Sequence, residues 1–261
     1  VLASMAWRSL PDGRLHVYFL DVGQGDAIFV RTPSGRQVLI DGGPTPSLLL
    51  SRLGRRMPFW DRSLDLVLLT HPDVDHVTGL VEVLERYDVD ALVFREMGCR
   101  SPICERWDQL LESGEMAVYQ GEAGLGITLD HGVLLEVLHP GVDVLARDAF
   151  NDNSIVLRLS FGEASFLLTG DIGVQSEERL LAGEKSLDST VLKVSHHGAC
   201  AASTPRFLAA VRPEVAVISV GEENDFGHPC DEVLERLAAL VASPPRGSAI
   251  YRTDQAGTVH V

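Results

Sequence analysis

"LLTHPDVDHVTG" occupies residues 68–79 and packs His71, Asp73, Asp75 and His76 into six consecutive positions at the end of an apolar run. Side chains of this kind, so closely set, repel one another or stand idle unless a cation holds them. The run before them, "LDLVLLT" (64–70), has the length and continuity of a strand buried on both faces. After them, "GLVEVLERY" (79–87) sets Leu80, Val81 and Leu84 at helical spacing with acidic residues between. A strand that ends in a tight loop can aim alternate side chains into one cavity and hold them rigidly. The stretch therefore predicts an α/β domain with its chemistry at a strand end.

Working outward, "LHVYFLDV", "AIFVR" and "QVLID" read as an antiparallel meander joined by Gly-rich turns, with Gly23, Gln24 and Gly25 in one of them. Residues 96–130 are Gly-rich and weakly periodic, and predict excursions and short strands. A second series follows: strands in "SIVLRLSFG", "ASFLLTGD", "STVLKVSHH" and "EVAVISVG", helices near "PRFLAAV" and "CDEVLERLAALV", then "AIYRT" and "GTVHV". Two echoes link the halves. "SLDLVLLTH" (63–71) and "SLDSTVLKVSH" (186–196) share Ser-Leu-Asp, an apolar strand, a hydroxyl residue and His; "QVLIDGG" and "SFLLTGD" both end a strand with Asp beside Gly. Such a plan predicts two sheets face to face with a site along one edge. No Pro/Ser/Gly-rich linker divides the chain, so a single domain over residues 15–261 is expected, with residues 1–14 a linker-like segment ahead of it.

Of 261 residues, 45% are hydrophobic and 23% charged, as in an ordinary globular protein. No run approaches the roughly 20 apolar residues of a membrane helix, and the opening residues lack the basic end and apolar middle of a signal peptide. Position 1 is not Met, which fits a part of something longer. The net charge of −15 argues against a broad basic surface gripping nucleic acid. Action on phosphates stays open, because bound divalent cations can invert the local field. Cys99 and Cys104 in "GCRSPIC" read either as a small disulfide loop or as two free thiols; Cys200 and Cys230 have no sequence-adjacent partner and stay unassigned.

The H-x-D-x-D-H spacing resembles the H-x-H-x-D-H signature of the metallo-β-lactamase superfamily, with Asp73 in place of its second His. Within that superfamily the chain is similar to the C-terminal domain of ComEC-type competence proteins, which take DNA across the bacterial membrane. The matching stretches are "FLDVGQGDA", "LIDGGP", "THPDVDHVTG", "NDNS", "LLTGD", "KVSHHG", "FGHP" and "YRTDQAG", in the family's order from about residue 15 onward. The resemblance implies a four-layer αβ/βα sandwich with a metal site at one edge. By position, His71 and Asp73 serve one metal and Asp75 and His76 the other. Asp171 bridges them and His196 completes the second, with His197 held outside the ligand set. Where the superfamily usually has another His, this chain has "NDNS"; Asn151 takes that place, with Asn153 or a water as alternatives.

The residues point to the same chemistry. An oxygen-heavy donor set shifts preference from Zn²⁺ toward a harder ion such as Mn²⁺. Two cations ~3.5–4 Å apart suit an in-line displacement at phosphorus, with Asp75 among the catalytic groups. His228 in "NDFGHP" reads as a phosphate contact or proton donor, or else as a turn histidine between Gly227 and Pro229. Lys193 either neutralises a phosphate or packs at the core edge, and Asp41 supports the metal loop from outside. Arg252 and Asp254 either shape a substrate turn or pair with each other. The resemblance implies a nuclease that degrades the non-transported DNA strand, binds single-stranded DNA weakly, and works at the extracytoplasmic membrane face beside a channel domain of its parent protein. The isolated domain is expected to be monomeric. A hydrolase of small-molecule or cell-wall phosphodiesters, and a non-catalytic docking module with a degenerate site, are the other readings.

Overall fold

The computed structural model describes residues 10–97, 101–113, 116–142, 150–241 and 249–261. The first half runs β1 (His16–Phe19), β2 (Ile28–Arg31), β3 (Gln37–Ile40), α1 (Pro46–Gly54), β4 (Ser63–Leu64), β5 (Leu66–Leu68), α2 (Val74–Arg86), β6 (Asp88–Val89), β7 (Ala91–Phe94), α3 (Pro102–Glu112) and β8 (Ala117–Gln120). The second runs β9 (Gly126–Asp130), β10 (Val133–His139), β11 (Val156–Phe161), β12 (Ala164–Leu168), α4 (Val174–Ala182), β13 (Val191–Lys193), α5 (Pro205–Val211), β14 (Val215–Ile218), α6 (Asp231–Val241), β15 (Ala249–Arg252), α7 (Thr253–Ala256) and β16 (Val259–His260).

Two seven-stranded sheets result, ordered β16-β1-β2-β3-β5-β7-β8 and β15-β14-β13-β12-β11-β10-β9. The sequence echo has a structural counterpart. In each half two antiparallel pairings, β1-β2-β3 and β10-β11-β12, are followed by three parallel ones, β3-β5-β7-β8 and β12-β13-β14-β15. Thus β3 and β12 occupy equivalent places, as do β5 and β13. The last strand, β16, crosses to pair with β1.

Side-chain alternation builds the layers. Along β5, Leu66 and Leu68 enter the core between the sheets, while Val67 and Leu69 join the core beneath the helices of the first half. Along β13, Val191 faces the inter-sheet core and Leu192 the helices of the second half. Each side chain so buried contributes about 1.5–3 kcal/mol, which explains why the parallel strands are apolar on both faces. The layers are helix, sheet, sheet, helix: the expected αβ/βα sandwich.

One element departs from expectation. Residues 102–112, read as part of an irregular stretch, form α3, with Pro102 in its first turn and Cys104 and Trp107 buried. Ile103, Trp107 and Leu110 recur at i, i+4 and i+7; the surrounding glycines masked this short period. Cys99 lies outside the described residues.

Candidate metal centre

Local backbone constraints place the first cluster. After β3 the chain turns sharply at Asp41 and Gly43, whose φ values of 56° and 67° are left-handed. The first turns of α2 lie directly on this corner: Gly42 N–H donates to His76 O at 2.7 Å and Gly79 N–H to Gly43 O at 3.0 Å. A Cβ on Gly79 would stand 2.0 Å from Gly42 O, so only glycine permits this approach. The approach brings His76 over Asp41.

Asp41 then organises the cluster. Its Oδ1 accepts from Thr70 N–H (2.8 Å), and its Oδ2 accepts from Thr70 Oγ1 (2.7 Å) and from His76 Nδ1 (2.9 Å). Because the Thr70 hydroxyl proton points to Asp41, Thr70 Oγ1 accepts from His71 Nδ1 at 3.0 Å. On the opposite sheet, His197 Nδ1 donates to Ser219 O at 2.8 Å. All three imidazoles therefore have Nδ1 committed as a donor, the arrangement that leaves Nε2 for a metal. All three Nε2 atoms are buried without a hydrogen-bond partner.

Four atoms converge: Asp75 Oδ2, His76 Nε2, Asp171 Oδ2 and His197 Nε2. Their separations are 3.8 Å (Asp75–His76), 3.4 Å (Asp75–His197), 3.4 Å (His76–Asp171) and 3.1 Å (His197–Asp171). Two donors each about 2.1 Å from one tetrahedral ion stand roughly 3.4 Å apart. The set fits a divalent cation. His71 Nε2 and Asp73 Oδ2 form a second pair 3.6 Å apart, with the His71 and His76 rings 4.1 Å apart. Asp73 sits at the N-cap of α2 without capping it. An Asp there usually accepts from the first-turn amides; here its carboxylate turns toward His71.

Electrostatics agree. Burial opposes the charged form of His197, yet the Asp171 and Asp26 carboxylates push its pKa up to about 10. For His76 burial is likewise outweighed, by Asp171 and Asp41, and its pKa lies well above the ordinary value. Burial works against the Asp75 carboxylate too, but His197 and His76 bring it down to about 2. In the metal-free chain, protons on these imidazoles balance the carboxylates.

Several residues stand elsewhere than expected. His197, not His196, joins the four-atom set. Both have left-handed backbones, with φ 53° and 48°, and this double turn sends the second ring inward beneath Ser219. His196 stands at the rim, its Nε2 accepting from Asn151 Nδ2 at 3.3 Å and lying 3.9 Å from Asp171 Oδ2. Asn151 thus meets His196 and not the cluster, while Asp152 ties the same turn to Gly173 and Ser176. Asn153 is buried. Lys193 does not face solvent: it shares the inner face of β13 with Val191 and is fully buried. Its ammonium meets Asp26 Oδ2 (2.5 Å), Gly170 O (2.8 Å) and Asp171 Oδ1 (3.5 Å).

His228 lies at the rim, its ring 5.7 Å from that of His196, and burial lowers its pKa. Arg252 and Asp254 pair with each other. Asp26, which no ligand spacing singles out, is 1% exposed and lies 3.7 Å from His197 Nδ1. Its signal was an acid wedged between Gly25 and the apolar strand "AIFV". Cys200 and Cys230, left unassigned, form a disulfide.

The profile of the metallo-beta-lactamase superfamily matches residues 20–222. The chain belongs to that superfamily. A solved metallo-beta-lactamase fold protein, YhfI from Bacillus subtilis, superposes with a TM-score of 0.60 at 12% identity, covering 95% of this chain and 100% of its own. At that identity the likeness concerns the fold. Among curated sequences, this superfamily member is 30% identical over 259 residues to ComE operon protein 3 of Bacillus subtilis (strain 168), covering 93% of this chain and 32% of that protein. It is also 30% identical over 256 residues to Competence protein ComA of Neisseria gonorrhoeae, covering 96% of this chain and 33% of that one. The chain spans about a third of the length of these relatives. No helix among the described residues is long and apolar enough to cross a membrane.

Proposed function

We propose that this domain is a metal-dependent phosphodiesterase that degrades DNA, acting on the non-transported strand during natural transformation. The observation that carries the hydrolase reading is the set of three buried, partnerless Nε2 atoms, those of His76 and His197 beside Asp75 and Asp171 and that of His71 beside Asp73. Asp75, His76, Asp171 and His197 would hold one divalent cation, and His71 and Asp73 would anchor a second beside it. Bound there, such cations supply Lewis acidity and a water acidic enough to attack phosphorus near neutral pH. Three carboxylates in the set favour Mn²⁺, with Zn²⁺ the alternative.

The chain's own residues do the rest. Asp41 and Ser219 hold His76 and His197 in one tautomer, so no reorientation accompanies binding. Lys193 neutralises Asp26 and one oxygen of Asp171 from below. His228, part-buried at the rim, has its pKa lowered by burial, and its imidazole stands where it can contact a phosphate oxygen or hydrogen-bond to a departing one.

DNA as substrate is supported by the relative named a competence protein and by the order of shared motifs. With a net charge of −15, binding to single-stranded DNA is weak and salt-sensitive, so strands arrive from a neighbouring channel domain. The Cys200–Cys230 disulfide suits an oxidising, extracytoplasmic setting. The test is cleavage of end-labelled single-stranded DNA by the Mn²⁺-loaded chain. Cleavage that vanishes with chelator and falls at least ~100-fold in Asp75→Asn is expected. A loaded chain that leaves DNA intact at high enzyme concentration, yet hydrolyses a small phosphodiester, would replace the substrate. A chain taking up less than one ion would replace the hydrolase reading with a docking role.

A further inference from the structure

The geometry points to the Cys200–Cys230 disulfide as a positioning device for His228, an inference that rests on the phosphodiesterase reading above. The bond joins the two loops that carry the rim histidines. Cys200 follows the rim residue His196 by four positions and Cys230 follows His228 by two. Their Cα atoms are 5.4 Å apart, well inside the usual span for a disulfide. The loops also touch without it: Cys230 N–H donates to Gly198 O at 3.0 Å, and Pro229 packs where a Cβ on Gly198 would stand, 2.6 Å away.

The His228 imidazole has little of its own to hold it. Among the described residues its buried Nδ1 has no hydrogen-bond partner, and its ring stacks only on Phe226, which is 70% exposed, and edge-on to His196. Its direction is therefore set by its backbone. Upstream, Asn224 clamps that backbone through Nδ2 to His228 O (2.7 Å) and Oδ1 from His228 N–H (2.9 Å). Downstream, the clamp is the disulfide. The cation cradle has anchors of its own: His197, although three positions before Cys200, is held to Ser219 O, and Asp75, His76 and Asp171 stand on other elements. Loss of the bond should thus separate two properties that usually fail together. Metal affinity persists, and turnover drops.

The experiment compares the whole chain with its Cys200→Ala/Cys230→Ala variant. Unchanged Mn²⁺ affinity is expected, with kcat on single-stranded DNA lower by about 10- to 100-fold and KM little altered. Amide exchange across residues 224–229 should quicken. Added to His228→Ala, the double substitution should cost nothing further, because both remove the same placed group. Additive losses, an unaltered kcat, or unaltered exchange would overturn the proposal. If the alanine variant does not fold, a Cys200→Ser/Cys230→Ser variant gives the same comparison. A wild-type chain inert toward DNA would sink the nuclease reading alone; the exchange rates, and the rate at which an acylating reagent modifies His228, would still decide the role of the disulfide.

Discussion

Asp26 and Lys193 form an ion pair across the interface of the two sheets, with Oδ2 and Nζ 2.5 Å apart and both side chains at most 2% exposed. Removing one partner of such a pair leaves an uncompensated buried charge, at a cost of about 3–5 kcal/mol. Asp26→Ala is therefore expected to lower the denaturant midpoint markedly, and Asp26→Asn less so, since the amide oxygen can still accept from the ammonium. Equilibrium unfolding in urea distinguishes them; an Asp26→Ala midpoint equal to wild type would show the pair to be dispensable.

His197, and not His196, lies in the four-atom set. His197→Ala should weaken Mn²⁺ binding severely, whereas His196→Ala should leave it within about 10-fold, the lower range for residues adjoining a metal site. Calorimetric titration of both variants reads this directly. The opposite ranking would restore the assignment made from sequence.

Metal uptake should release protons. His76 and His197 carry raised pKa values in the metal-free chain, so near pH 7 both must lose a proton before their Nε2 atoms can bind. Affinity is expected to rise with pH, and the heat of binding to depend on the buffer's ionisation enthalpy. The same shifts act on folding without metal. A histidine raised from 6.5 to about 10 gives stability that is complete below 6.5 and lost as pH climbs through 10. Asp75, lowered to about 2, gives stability present above 3.8 and lost as pH falls through 2. A metal-free melting temperature that rises between pH 7 and 10 would contradict this.

Gly79→Ala tests the corner at Asp41. In an open helix the change would stabilise by about 1 kcal/mol. Here the added Cβ meets Gly42 O and must push α2 away from the turn, pulling His76 off Asp41. Lower thermal stability together with weaker Mn²⁺ binding is expected; a gain in stability would mean that the turn yields without consequence.

Much of this was legible in the residues. The paired strand endings at Asp41 and Asp171, and at His71 and His196, announced two similar halves because each half buries the same kind of strand and turns it at the same point. Asp75, His76 and Asp171 were legible because each follows closely on an apolar strand, although Asp75 and His76 lie in the first turn of α2 and not in the loop that the spacing predicted. What escaped depends on information no spacing carries. Choosing His197 over His196 needs two successive left-handed residues. The burial of Lys193 needs knowledge of which face of β13 looks inward, and the Cys200–Cys230 bond spans 30 positions that only the fold brings together.

Neither half of the molecule owns a complete cradle. Asp75 and His76 come from one repeat, Asp171 and His197 from the other, and the ion they suit would lie on the seam between them. One half alone offers only two of the four donors, so the halves must close on each other before the ion can be held. The cation, in turn, becomes the clasp that rewards their staying closed.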